Sequence, residues 1–127
     1  MFRIFTKALL LLALGCGCKD VVNEHMSIPA GTVIIDVRTP AEQQQSGYIA
    51  GAVGIVHTEI HTYIKKIAPD KRTPLAVYCR SGRRSAMASE VLRKLGYENV
   101  TDLGGFEDAR RKLSLPTVKV KMERFPE

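Results

Sequence analysis

The stretch Val77-Tyr78-Cys79-Arg80-Ser81-Gly82-Arg83-Arg84-Ser85 sets one thiol between a short apolar run and three arginines. A cysteine attacks as its thiolate, and nearby cations or the free amides of a helix N-terminus lower the pKa that controls how much thiolate there is. Gly82 permits a tight curl that turns several backbone N–H groups toward one point, which makes a cradle for an anion. The pattern suits covalent catalysis on an anionic substrate, with Cys79 as nucleophile. A buried structural cysteine beside an arginine-rich surface helix is the bland alternative. It fits a lone cysteine better than Cys-x-x-Gly-x-Arg set between a strand-like run and a helix.

Such a loop needs elements to hold it. Thr32–Val37 is a nearly continuous β-branched run, and Leu75–Tyr78 is a second apolar run; both suit strands buried on two faces, as in parallel sheets. Ala52–Val56 and Val100–Leu103 read as further strands. Thr39-Pro40-Ala41-Glu42 carries a capping residue, a proline at the first helical position and an early acid, so a short helix starts there. Ile60, Tyr63, Ile64 and Ile67 recur at helical spacing within Glu59–Ile67. Ala88, Val91, Leu92 and Leu95 make one stripe along Arg83–Leu95, with Gly96 at the C-cap. Phe106–Leu113 is a short helix after a Gly104-Gly105 turn. Alternating strands and helices predict an α/β domain with a mainly parallel sheet. Cys79 then falls at the carboxyl end of a central strand, where open α/β sheets bind their ligands.

The N-terminus reads as an address. Met1–Lys7 is short and basic, and Ala8–Leu14 is an apolar run of seven residues, too short to span a bilayer. It has the form of a bacterial secretory signal over residues 1–15. Ala13-Leu14-Gly15-Cys16 resembles a lipoprotein box, which implies cleavage before Cys16 and a lipid on its sulfur. Residues 16–27 then form a polar tether, 28–113 the domain and 114–127 a basic tail. The expected location is the bacterial periplasm, with a lipid anchor in a membrane. If Cys16 carries lipid and Cys18 lies in the tether, Cys79 is the single thiol of the folded part, out of three cysteines.

Composition narrows the rest. A chain of 127 residues fits one domain. The net charge is +6, about +4 once Arg3 and Lys7 of the expected signal are set aside, which is mild, and no aromatic residues interleave with a basic stripe, so a small anion is the expected partner and nucleic acid is not. No Cys/His spacing resembles a zinc site, and no cofactor is called for. His57 and His61 stand four apart, but Glu59 does not directly follow the first histidine as the metalloprotease motif requires, so a solvated helix start is expected instead.

Taken together, Ile35-Asp36-Val37-Arg38, Glu42, Gly47-Tyr48-Ile49-Ala50-Gly51-Ala52, the Cys79 stretch, Gly96-Tyr97 and Leu103-Gly104-Gly105-Phe106 resemble the ordered landmarks of a rhodanese domain. They look most like the small exported single-domain rhodaneses of the phage-shock-protein-E type. The resemblance implies a small three-layer domain, a mainly parallel sheet of about five strands flanked by helices, and the activity of a thiosulfate sulfurtransferase. A sulfane sulfur would pass from thiosulfate or another small sulfur anion to a thiol or cyanide acceptor, through a persulfide on Cys79. It implies that the loop Arg80, Ser81, Gly82, Arg83 and Arg84 holds the anion, and that Asp36, Arg38 and Glu42 support it. Arg84 is expected to order the loop against a carboxylate, Glu42 to pair with Arg38, and Asp36–Arg38 has a plain surface ion pair as its alternative. Gly47-Tyr48-Ile49 stands where the family often has Gly-His-Ile, and Ala52-Val53-Gly54-Ile55-Val56 where it often has Ala-x-Asn-Ile-Pro; both departures bear on acceptor preference. Phosphatases of the same fold use Cys-x5-Arg around a phosphate, whereas Arg84 makes this loop Cys-x4-Arg, a size that fits one transferable sulfur and crowds a phosphoryl group. A phosphatase or arsenate reductase is therefore the weaker alternative, beside a non-catalytic persulfide carrier.

Overall fold

The computed structural model describes residues 25–119. The expected secretory signal, the Cys16 box, most of the expected tether and the last eight residues lie outside them. Strand β1 (Val33–Asp36) leads to α1 (Pro40–Ser46), then β2 (Tyr48–Ile49), β3 (Val53–Gly54), a 3-10 turn (His57–Glu59) and α2 (Ile60–Ile67). Next come β4 (Leu75–Tyr78), α3 (Arg83–Lys94), β5 (Val100–Gly104), α4 (Phe106–Leu113) and β6 (Thr117–Val118).

The main sheet has four strands in the order β3-β1-β4-β5, all parallel. Val33 pairs with Leu75 and Asp36 with Tyr78, so the two central strands run in step to the carboxyl edge. Period-two alternation splits the side chains between two cores. Ile35, Val37 and Val77 face Ile60 and Ile64 of α2 and Ala88 and Leu92 of α3. Ile34, Ala76, Tyr78 and Leu103 face Ile49 and, on α4, Phe106, Ala109 and Leu113. Both faces of the sheet are covered, which is why its strands read as continuous apolar runs rather than alternating ones. Each fully buried Ile or Leu contributes about 1.5–3 kcal/mol of transfer free energy.

The four sequence-predicted strands make up this sheet, and each expected helix is present. A second pairing was not expected: β2 and β6 form a two-stranded antiparallel ribbon, Tyr48 against Val118 and Ile49 against Thr117. It ties residues 117–118, beyond the last helix, back to the end of α1. At the other end, the Met26 N–H donates to the Lys112 carbonyl at 2.7 Å, which pins the segment before β1 to the end of α4.

Capping sets where α1 begins. The Thr39 hydroxyl accepts from the Glu42 N–H at 3.4 Å, and the Glu42 carboxylate accepts from the Thr39 N–H at 2.9 Å, a reciprocal capping box with Pro40 in the first turn. This fixes Glu42 on the rim of the carboxyl edge. His57 departs from expectation: it is half-buried rather than solvated, and its Nδ1 has no hydrogen-bond partner among the described residues, while His61 is exposed.

Candidate active site

Cys79 directly follows β4. Its N–H donates to the Gly104 carbonyl at 3.0 Å, so the backbone is held against the end of β5. Its side chain is fully buried among Val37, Ile55 and Ala88. The chain then curls through Arg80 and Ser81 to Gly82, the N-cap of α3, at φ +99°. An L side chain pays a steric penalty there, which glycine avoids. The curl returns the Gly82 N–H to the Cys79 Sγ at 2.9 Å. Burial pushes the Cys79 thiol pKa up, but hydrogen bonds from the Ser85 N–H and hydroxyl and from the Gly82 and Ser81 amides outweigh it, and the thiol lies below its ordinary value. The Ser85 hydroxyl also has the Gly82 carbonyl as an acceptor at 3.0 Å. The first turn of α3 therefore turns unpaired amides toward the Cys79 Sγ.

The loop is buttressed by Gly105. The Phe106 N–H donates to the Arg80 carbonyl at 3.2 Å, and a Cβ on Gly105 would stand 2.7 Å from that same oxygen. Only glycine lets the two turns approach this closely.

The structure separates the three loop arginines by role. Arg84 reaches α1 and grips Glu42 with two hydrogen bonds, Nη1 to Oε2 at 2.8 Å and Nη2 to Oε1 at 2.7 Å. Such a fork-to-fork pair has good geometry, and its side chains are only 23% and 21% exposed. The Arg84 hydrogen bonds hold the Glu42 carboxyl down at about 2, with the Thr39 bonds helping and burial opposing. Glu42 is thus the carboxylate that orders the loop, and its expected pairing with Arg38 is corrected: Arg84 takes both carboxylate oxygens. Arg80 and Arg83 are exposed and have no ion pair among the described residues.

Asp36 and Arg38 do not form a surface pair. Asp36 is 0% and Arg38 1% exposed. The Arg38 Nε donates to Asp36 Oδ1 at 3.0 Å, Nη2 donates to Asp36 Oδ2 at 2.8 Å and to the Gly47 carbonyl at 2.6 Å, and Nη1 donates to Ser46 Oγ at 2.6 Å. Burial pulls the guanidinium pKa down, but the Asp36 bonds and charge prevail and it stays above its ordinary value. Its plane lies over the Phe106 ring, 4.3 Å from the centroid.

One member of this network had not been singled out in the sequence. The Tyr78 hydroxyl, one residue before the nucleophile, donates to Asp36 Oδ2 at 2.8 Å and accepts from the Ile49 N–H at 3.0 Å. Burial, then the Asp36 charge, drive its pKa far above the ordinary phenol value. The available signal was a tyrosine at the end of a strand read as fully buried, because a buried phenol needs a partner for its O–H.

Comparison with known proteins agrees with this geometry. The model of the rhodanese-like domain matches residues 19–112. The thiosulfate sulfurtransferase PspE of Escherichia coli K12 is 37% identical over 116 residues, covering 91% of this chain and 99% of that protein. A solved structure described as a rhodanese with anions from E. coli superposes with TM-score 0.62 at 39% identity, over 69% of this chain and 98% of that one. A Rhodopseudomonas palustris protein of unknown function, described as a possible tyrosine phosphatase, superposes with TM-score 0.61 at 26% identity, over 70% of this chain and 72% of that one. The chain belongs to the rhodanese-like domain family.

Proposed function

We propose that the protein is a thiosulfate sulfurtransferase that works through a persulfide on Cys79. The observation that carries the reading is the amide cradle at the α3 N-terminus, with the Gly82 N–H 2.9 Å from Sγ, flanked by two exposed arginines that have no ion pair among the described residues. The Cys79 thiolate attacks the outer sulfur of thiosulfate. The S–S bond of the donor breaks, sulfite leaves with the bonding electrons, and Cys79 holds the sulfur as a persulfide. Loop amides take the negative charge, while Arg80 and Arg83 attract the dianion. A cyanide or thiol acceptor then attacks the outer sulfur and releases the Cys79 thiolate.

Two features weigh against phosphoryl transfer. The loop is one residue shorter than the phosphatase loop. Arg84, which ends it, is occupied by Glu42 and so is not free to clamp a phosphate. The test is thiosulfate:cyanide turnover of the wild type and of Cys79→Ser. Serine keeps the shape but cannot carry a persulfide, so the variant should fold and be inactive. A folded Cys79→Ser protein that turns over at a substantial rate would overturn the mechanism. Stoichiometric sulfur loading of the wild type without turnover would support a carrier.

The same proposal includes the address: a signal over residues 1–15, lipidation at Cys16, a tether to residue 27, the domain over 28–113 and a short tail. The basic start, the seven-residue apolar run and the Gly15-Cys16 boundary support it.

A further inference from the structure

A cleft of about 400 Å³ opens beside the Cys79 loop, lined by Arg38, Glu42, Gln45, Ser46, Arg80 and Phe106, with Glu107 at its rim. Cys79 itself is fully buried, so a second substrate larger than a small anion has to reach the outer sulfur from a volume that borders the loop. This cleft borders it through Arg80, the residue covalently next to the nucleophile.

Its charges can be paired off. Asp36 neutralises Arg38, Glu42 neutralises Arg84, and Glu107 is bonded to Arg110 at 3.0 Å. Arg80 remains, one positive charge with no ion pair among the described residues. Two further donors are unspent. A guanidinium carries five N–H groups, and Arg38 commits four of them to Asp36, Gly47 and Ser46, which leaves one on Nη1. The Gln45 amide is exposed and makes no hydrogen bond to any described residue. The Phe106 ring, capped on one side by Arg38, supplies an apolar wall.

From this balance we infer that the cleft seats the sulfur acceptor, and that the acceptor it fits is a small thiol bearing a single carboxylate on a short carbon chain. The inference rests on the sulfurtransferase reading. The carboxylate binds Arg80 with help from Gln45, and the methylenes lie along Phe106. The acceptor thiolate attacks the outer sulfur of the Cys79 persulfide; the Cys79 S–S bond breaks, a new S–S bond forms on the acceptor, and the Cys79 thiolate is regenerated. The thiol proton goes to solvent. Arg80 is used twice in one cycle, first for the dianionic donor and, once sulfite has left, for the carboxylate.

The test has two parts on the full chain. Sulfur transfer from thiosulfate is measured with 3-mercaptopropionate, with uncharged 2-mercaptoethanol and with cyanide, in the wild type, Gln45→Glu and Gln45→Lys. The wild type should prefer 3-mercaptopropionate in kcat/KM. Relative to uncharged 2-mercaptoethanol, Gln45→Glu should lower that value about fivefold and Gln45→Lys should raise it, as expected for one partly exposed charge pair. Equal use of the two thiols, or no response to Gln45→Glu, would overturn the inference. Butyrate, which has the carboxylate but no sulfur, is also titrated into the isotope-labelled protein. Shifts at the Gln45 amide and the Arg80 guanidinium, absent with butanol, should appear whether or not the protein turns over. No butyrate shift would rule out the seat, whereas a shift without cyanide turnover would fault the sulfurtransferase reading alone.

Discussion

Cys79 is poised by backbone more than by side chains. A buried thiol should ionise less readily, yet hydrogen bonds from the Ser81, Gly82 and Ser85 amides and the Ser85 hydroxyl reverse the sign. With Cys16 and Cys18 replaced by serine, the thiolate absorbance of Cys79 should appear at a pH below the ordinary thiol pKa of about 8.5. Arg83 tests the side-chain contribution, because it is exposed and pairs with nothing described. Arg83→Ala should raise KM for thiosulfate by about tenfold, the worth of one charged hydrogen bond, with a smaller loss in kcat. An unchanged KM would assign anion binding to the amides alone. Tyr78→Phe tests the network behind the loop. It leaves Asp36 Oδ2 and the Ile49 N–H each short of a partner in a buried site, at a cost of about 1–3 kcal/mol. Thermal unfolding should register that loss, and a Tm equal to wild type would show that the phenol bonds contribute nothing.

Elements meet at two charge clamps. The Glu42–Arg84 fork joins the first turn of α1 to the first turn of α3, so the loop is held from both sides. The Glu42 carboxyl sits at about 2 in the folded protein, well below its unfolded value. A depressed carboxylate stabilises the fold above its unfolded pKa and loses that contribution as pH falls through the folded one. Wild type should therefore lose more stability than Glu42→Gln as pH drops from about 4.3 toward the folded value. Parallel curves for the two proteins would mean that the fork carries no net energy. The Asp36–Arg38 pair is the deeper clamp, and removing one partner of such a buried pair costs about 3–5 kcal/mol because it strands the other charge. Partner choice was the part that sequence could not supply. Asp36, Arg38, Glu42 and Arg84 were all visible as candidates, but which carboxylate meets which guanidinium depends on how α1 crosses the sheet edge. Spacing along the chain does not encode that crossing, and placing Arg38 and Glu42 on the same rim suggested a pair that the fold does not make. The burial of Asp36 and Arg38 was also hidden, because charged residues are mostly exposed and only the surrounding layers show otherwise.

Over the whole molecule, the architecture was legible where residues repeat. β-branched runs gave the parallel strands, and helical spacing with Thr39, Pro40 and Gly96 gave the helices. The β2–β6 ribbon escaped because two-residue strands carry no period, and its partners lie far apart in the chain. His57 escaped for a related reason: its burial comes from the 3-10 turn, which composition did not mark. Among the described residues no helix is long and apolar enough to cross a membrane; the membrane attachment we propose is the lipid on Cys16. Acyl chains contribute about 0.8 kcal/mol per buried methylene, and two or more would hold the protein firmly. The mature protein should begin at Cys16 and fractionate with membranes, and Cys16→Ala should remain uncut or become soluble. A wild-type protein wholly in the soluble fraction, starting beyond Cys18, would remove the anchor. The central claim is that sulfur rides on Cys79. The most direct measurement is the intact mass of the mature protein before and after thiosulfate, followed by peptide mapping. A gain of one sulfur atom, confined to the Cys79 peptide and removed by cyanide, is the predicted result; an unchanged mass, or sulfur added equally to Cys79→Ser, would contradict it.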